Sequence, residues 1–381
     1  MCIRDRTKTV SFALRFPSST KALQAVKPAQ GKVAASAKFK FSGIFVIAVS
    51  LMVLMSNFLA NLVLASVDGP SVFWKFSLWG KRRAFTEGAE TLSKRLSEET
   101  NGKFQLKIFY GGQLSKSKEN LDGLKANSFE MAAFCNFYHP GKNAGLMVLT
   151  MPFLPMGDFD KDAKIRQAVY DHPIVSGQLA KWNAMLYMTS NLPQYEFLGK
   201  GKAPTSLSDF KGMRVRAGGG VGKAMEKLGA IRQTVPASEV YTLISRGAVD
   251  AVSFPYTYAH AAYKIHEVAE WYTANLSPGT SDCPYVINKT SYGKLPKQYQ
   301  KLLQDLKPDA LASMKAAYKK ADDKNLPMFK SKLKEIKYDE KTLSEFRKTA
   351  GKPVWDAWVD ANKDKFDAQA LLDLIFETAK K

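Results

Sequence analysis

Few side chains in this 381-residue chain are placed to do chemistry. The four histidines, His139, His172, His260 and His266, show no metal-ligating spacing such as H-E-x-x-H. Ser281-Asp282 and the other serines lack the context of a nucleophile elbow. The run Gly218-Gly219-Gly220-Val221-Gly222 has neither the spaced glycines of a dinucleotide fingerprint nor the Lys-Ser/Thr of a P-loop. It reads as a flexible turn into a helix N-terminus, a favourable place for an anion. Just ahead of it stands Arg214-Val215-Arg216. A guanidinium presents a planar fork that matches a carboxylate bidentately and stays charged at any relevant pH. Strand alternation puts both arginines on one face, so pattern alone does not separate them. Arg216 has the better position, at the C-terminal end of its strand beside the glycines. These residues predict capture of an anion rather than turnover, with no metal and no cofactor.

The elements that must hold such a site alternate. Trp74–Trp79, Phe104–Tyr110 and 130–135 read as strands, with helices over 84–99 and 117–126 between them. A second cycle follows. Strands are expected over 185–190, 195–199, 213–217, 232–235 and 249–254, helices over 221–228 and 238–245, and a late strand over 284–288. Beyond Pro296 the pattern is helical, with breaks expected near Pro308, Pro327 and Gly351–Pro353. Two βαβ cycles predict two α/β lobes, each a mainly parallel sheet flanked by helices, with a cleft between them.

The chain opens on a leader. Lys38 and Lys40 precede an uncharged apolar run, Phe41 to Leu64, and Val63-Leu64-Ala65 has the small-x-small form of a cleavage site. A signal core is therefore expected over 38–65, cleaved after Ala65, with an uncleaved anchor as the competing reading. Residues 1–37 are longer than an n-region and read as an upstream extension. The formal net charge of +21 first suggests nucleic acid or an anionic membrane. The leader's nine Lys/Arg and one acid carry +8 of it, leaving +13 spread mostly over helix faces. No basic run interleaved with aromatics offers a nucleic-acid platform. Outside the leader, Cys135 and Cys283 form an even pair in an oxidising compartment, or else two small buried hydrophobes.

Five passages in order carry a resemblance. They are Thr100-Asn101-Gly102-Lys103 with Tyr110-Gly111-Gly112-Gln113-Leu114; Met151-Pro152-Phe153-Leu154; Leu207 through Arg216; Leu228-Gly229-Ala230; and Glu239-Val240-Tyr241 with Gly247-Ala248-Val249-Asp250-Ala251. Across nearly all of 70–340 the chain resembles the extracytoplasmic solute-binding proteins of TRAP transporters, the DctP type. The resemblance implies two α/β lobes joined by hinge strands, with a long helix spanning both. It implies lobe I over 68–191 with 280–321 and lobe II over 192–279 with 322–381. It implies a monomer that captures an organic anion in the periplasm and hands it to membrane subunits, with Arg216 pairing the substrate carboxylate. It also places Cys283 beside Cys135, so that a disulfide near the hinge is expected.

Two departures from the family pattern shape the expected pocket. No arginine occurs in Asn191–Phe197, leaving Gln194 and Tyr195, and Ala251–Tyr256 replaces the usual Gly-Glu. Both favour a monocarboxylate with an apolar or aromatic body, packed by Trp79, Tyr138, Tyr195, Phe254 and Tyr256. Arg82 or Arg83 could add a second anchor, which would restore a dicarboxylate reading. The other function classes are a periplasmic enzyme on the same fold and, if the apolar run is retained, a membrane-tethered scaffold.

Overall fold

The computed structural model describes residues 66–381. The expected leader over 1–65 and its cleavage site lie outside the described residues. Among the described residues no helix is long and apolar enough to cross a membrane.

The strands are β1 (Val72–Ser77), β2 (Phe104–Phe109), β3 (Met131–Ala133), β4 (Ala184–Met188), β5 (Tyr195–Gly199), β6 (Arg214–Arg216), β7 (Ile231–Gln233), β8 (Ala251–Pro255), β9 (Trp271–Thr273), β10 (Tyr285–Asn288) and β11 (Lys334–Ile336). They form two sheets, ordered β2-β1-β3-β10-β4 and β11-β9-β5-β8-β6-β7. Each sheet is the spine of one α/β lobe.

The first lobe grows from alternation. In β1, Trp74 and Phe76 are buried while Phe73 is exposed. β1 pairs in parallel with β2, and helix α1 (Glu87–Glu99) makes the crossover. Ala89, Leu92 and Leu96 form the stripe that α1 buries on the sheet. Asn101 and Gly102 adopt positive φ and end the helix where Asn-Gly predicts it. The chain leaves for the second lobe after β4 and returns as β10, antiparallel between β3 and β4. The β3–β10 register pairs Tyr285 with Ala133, which sets Cys283 opposite Cys135 just beyond the ladder. The two cysteines are joined there as a disulfide.

Helix α2 (Phe159–Asp171) covers the first sheet and α3 (Gly219–Lys227) follows β6 in the second lobe. Helix α4 (Lys307–Lys332) runs 26 residues, about 39 Å at 1.5 Å per residue. Its first half packs on α1, and its second half holds Thr257 through Asp322 and Asn325 and buries Phe329 against Tyr256 and Tyr272. It thus spans both lobes. The break expected at Pro327 does not occur. An interior proline forfeits one helical hydrogen bond, and here burial of Asn325 and Phe329 on either side keeps the helix continuous.

The C-terminal helices join the cores of both sheets. Helix α5 (Glu340–Ala350) joins the second lobe's core through Phe346 and Ala350. Helix α6 (Lys352–Asp360) is tied to the first lobe by the Trp355 indole N–H, which donates to Pro152 O at 2.8 Å. Helix α7 (Ala368–Lys380) lays Leu371, Leu372 and Ile375 against Ile165 and Val169 of α2. The apolar stripe of α7 thus finds its partner on α2.

Candidate functional site

Arg216 is the last residue of β6, between β7 and β8 in the second sheet. It is 1% exposed. Its Nη1 donates to Ser253 O at 2.9 Å and its Nη2 to Val235 O at 2.9 Å, while Nε reaches the same Val235 oxygen at 3.2 Å. Nη2 also faces the Tyr138 hydroxyl at 3.4 Å. The guanidinium carbon lies 4.6 Å over the Phe254 ring. Backbone carbonyls and a ring face make burial of this cation tolerable. No carboxylate among the described residues forms an ion pair with it. Arg214, two residues earlier, is different. Its Nε donates to Asp250 at 3.0 Å, holding that carboxyl below the usual range, and its side chain remains 43% exposed. One strand thus carries a neutralised surface arginine and an unneutralised buried one.

Arg216 faces a cavity between the lobes. Trp79 and Tyr138 wall it from the first lobe, Tyr195 and Phe254 from the second. Trp79 meets Tyr138 edge to face, centroids 5.5 Å apart. The Tyr195 hydroxyl pairs with Ser281 at 2.5 Å, and burial pushes its pKa well up, so it stays protonated. The Cys135–Cys283 bond forms part of the wall. The space left is about 20 Å³, enough for one water. An organic acid enters only if the lobes part.

Three residues expected here lie elsewhere. Arg82 is exposed and paired with Glu87 at 2.7 Å. Its neighbour Arg83 is the one turned inward, because successive residues of extended backbone point to opposite sides. Gln194 is exposed in a separate groove beside α4, for the same reason that Tyr195 points in. Tyr256 follows the last residue of β8, where alternation no longer holds, and stacks on Tyr272 outside the cavity. Of the Arg82/Arg83 pair offered as a second anchor, Arg83 is the one in the cavity, and the expectation missed Phe85, Phe137, Tyr258 and Tyr263, all cavity residues. The Tyr258–Tyr263 helical turn gave no pattern signal beyond ordinary core aromatics.

The glycine run has a steric role. A Cβ at Gly218 would stand 2.4 Å from Phe137, one at Gly219 2.6 Å from Thr150, and one at Gly220 2.4 Å from the Thr150 carbonyl oxygen. The Gly220 amide donates to the Thr150 hydroxyl at 3.0 Å. The start of α3 therefore touches the first lobe directly, at a distance only glycine allows. A larger groove, about 890 Å³, opens beyond Phe137 between α3 and α6. Its Lys223 and Arg232 are both paired with Glu226, and Arg216 does not reach it.

Two α/β lobes meeting over a buried arginine with no ion-pair partner among the described residues form a cleft suited to a small anion. The sequence matches the bacterial extracellular solute-binding proteins, family 7 (DctP), over residues 77–362. The chain belongs to this family, the extracytoplasmic binding proteins of TRAP transporters, which bind small organic ligands, serve membrane transporter subunits and are not enzymes. It is 28% identical over 260 residues to the monocarboxylate 2-oxoacid-binding periplasmic protein of Nostoc sp., covering 65% of this chain and 69% of that protein. It is 24% identical over 247 residues to the C4-dicarboxylate-binding periplasmic protein DctP of Rhodobacter capsulatus, covering 64% and 73%. Among solved structures, a marine metagenome TRAP solute-binding protein specific for aromatic acid ligands, in complex with 3-hydroxybenzoate, superposes with a TM-score of 0.73 at 19% identity. That match covers 82% of this chain and 99% of the other.

Proposed function

We propose that this protein captures a small monocarboxylate with an aromatic or apolar body in the periplasm and delivers it to its TRAP membrane subunits. The carboxylate pairs with Arg216, and Trp79, Tyr138, Tyr195 and Phe254 pack its body. The observation that carries the reading is a buried guanidinium without an acidic partner among the described residues, set in an aromatic-walled cavity between two lobes. The adjoining groove shares Trp79 and Tyr263 with that cavity and is rimmed by Lys81, Lys116, Lys118 and Lys264 against Glu119 and Glu239. Such an excess of positive charge draws anions inward. The ligands named for the Nostoc relative and the marine metagenome protein, a 2-oxo monocarboxylate and an aromatic acid, are of the proposed class. Binding proceeds by hinge closure: the lobes part, Arg216 takes the carboxylate, and the glycine-lined contact re-forms. The working protein is a monomer, exported by a signal cleaved after Ala65.

One observation favours a C4-type dicarboxylate instead: Arg83 is also buried in the cavity. A thermal-shift screen of organic acids, mono- against dicarboxylates and aliphatic against aromatic, separates the two, since a ligand at a fixed concentration L stabilises by RT ln(1 + L/Kd), so the tighter binder shifts more. The largest shifts are expected for aromatic monocarboxylates. Shifts confined to aliphatic dicarboxylates would contradict the reading.

A further inference from the structure

Besides Arg216, the cavity is lined by a second polar cluster. Arg83 is 7% exposed and forms no ion pair with a described residue. It is held by aromatic faces, its guanidinium carbon 4.4 Å over Trp79, 4.3 Å over Phe85 and 5.6 Å over Tyr263. Its Nη1 is satisfied by backbone carbonyls, including Trp79 O at 3.3 Å. Its Nη2 is buried and has no hydrogen-bond partner among the described residues, and the same holds for the Trp79 indole N–H and the Tyr263 hydroxyl. These donors lie together. A Cβ on Gly80 would stand 2.5 Å from the Tyr263 hydroxyl and 3.0 Å from Arg83 Nη1. Buried donors are rarely left unpaired, and three lining one ligand cavity leave room for an acceptor from outside the chain, a water or a ligand oxygen. The aromatic walls connect the two arginines: Arg216 lies over Phe254, Arg83 over Tyr263, and Phe254 stacks on Tyr263 at 5.3 Å.

We infer that Arg83, Trp79 and Tyr263 form a second anchoring pole, and that the ligand carries an acceptor oxygen at the end opposite its carboxylate. This rests on the proposed pairing of Arg216 with a carboxylate. On the monocarboxylate reading the ligand class narrows to a ring or short body with a carboxylate at one end and a hydroxyl or oxo group at the other; on the dicarboxylate alternative the second carboxylate takes that place.

Matched acids test it by isothermal titration calorimetry on the protein without its leader. Meta- and para-hydroxybenzoate and isophthalate and terephthalate are compared with the corresponding methylbenzoates, which have similar size and no acceptor. Wild-type protein is expected to bind the best oxygen-bearing acid at least about tenfold more tightly than its methyl counterpart, a difference of 1.4 kcal/mol. In Arg83→Met the ratio is expected to fall to about one. In Arg83→Lys, which keeps the charge, the dicarboxylate ratio partly returns. A preference for the phthalates identifies an anionic acceptor and one for the hydroxy acids a neutral one; either supports the pole. An equal ratio in wild type and Arg83→Met overturns it. Failure of the underlying reading looks different: then Arg216→Met binds all these acids as wild type does, or wild type binds none.

Discussion

The Tyr138 hydroxyl lies 3.4 Å from Nη2 of Arg216. It also accepts the Ala237 amide N–H at 2.9 Å. Tyr138 belongs to the first lobe, whereas Arg216 and Ala237 belong to the second. One phenol therefore links the lobes at the proposed anchor, so closing the cleft and shaping the anion site are the same event.

Tyr138→Phe is expected to weaken ligand binding while leaving the fold. It strands the buried Ala237 amide when the lobes close, at a cost of about 1–2 kcal/mol, or roughly 5- to 30-fold in Kd. Calorimetry reads the change, and an unaltered Kd contradicts the link.

Gly220→Ala tests the glycine contact. Its Cβ would meet the Thr150 carbonyl oxygen at 2.4 Å, a backbone atom that cannot swing aside. Within the second lobe alanine suits a helix better than glycine, so the variant should fold. Small-angle scattering should show ligand-induced contraction in wild type and little in the variant. Equal contraction in both contradicts a steric role for the run.

The disulfide closes a loop with a sequence separation of 148. Unreduced, denatured protein without its leader should show no free thiol, and Cys135→Ser/Cys283→Ser should lose roughly 2–5 kcal/mol of stability. Because the bond also walls the cavity, the double variant should bind ligand more weakly. Two reactive thiols in the unreduced protein contradict the pairing.

Two buried histidines give the stability a pH dependence. Burial, aided by Lys142, pushes His139 down to about 4, and burial pushes His260 down to about 3. Each is neutral in the native protein, while the unfolded chain takes up a proton near pH 6.5. Stability is therefore fully present above about pH 6.5 and lost as pH falls toward 4, by at most about 1.4 kcal/mol per pH unit for each histidine. Urea unfolding between pH 7 and 4 reads the slope, which should flatten in His260→Asn. A slope unchanged by that substitution contradicts the assignment.

Much of this was legible because the relevant signals are local. The β1–α1–β2 unit shows in the alternation of Trp74 and Phe76 and in the stripe of Leu92 and Leu96. Arg216 was separable from Arg214 by its place at a strand end beside glycines. What stayed hidden depends on orientation and tertiary partners. Arg82 and Arg83 are adjacent and chemically identical, and only the backbone at the start of the Ala84–Thr86 turn decides which faces the cleft. Tyr256 and Tyr263 look alike in sequence, yet one stacks outside the cavity and the other lines it. Where α7 docks is set by the fit of its apolar face on α2, a long-range choice that periodicity does not carry.

The most direct test of the account is calorimetric titration of the tightest acid from the screen into wild type, Arg216→Lys and Arg216→Met, with unfolding curves for each. The account predicts loss of at least about 2 kcal/mol of binding in Arg216→Met, because a buried carboxylate would lose its ion pair. Arg216→Lys should fall between, keeping charge without the fork, and cooperative unfolding should persist in both. Wild-type affinity in a folded Arg216→Met protein would contradict it.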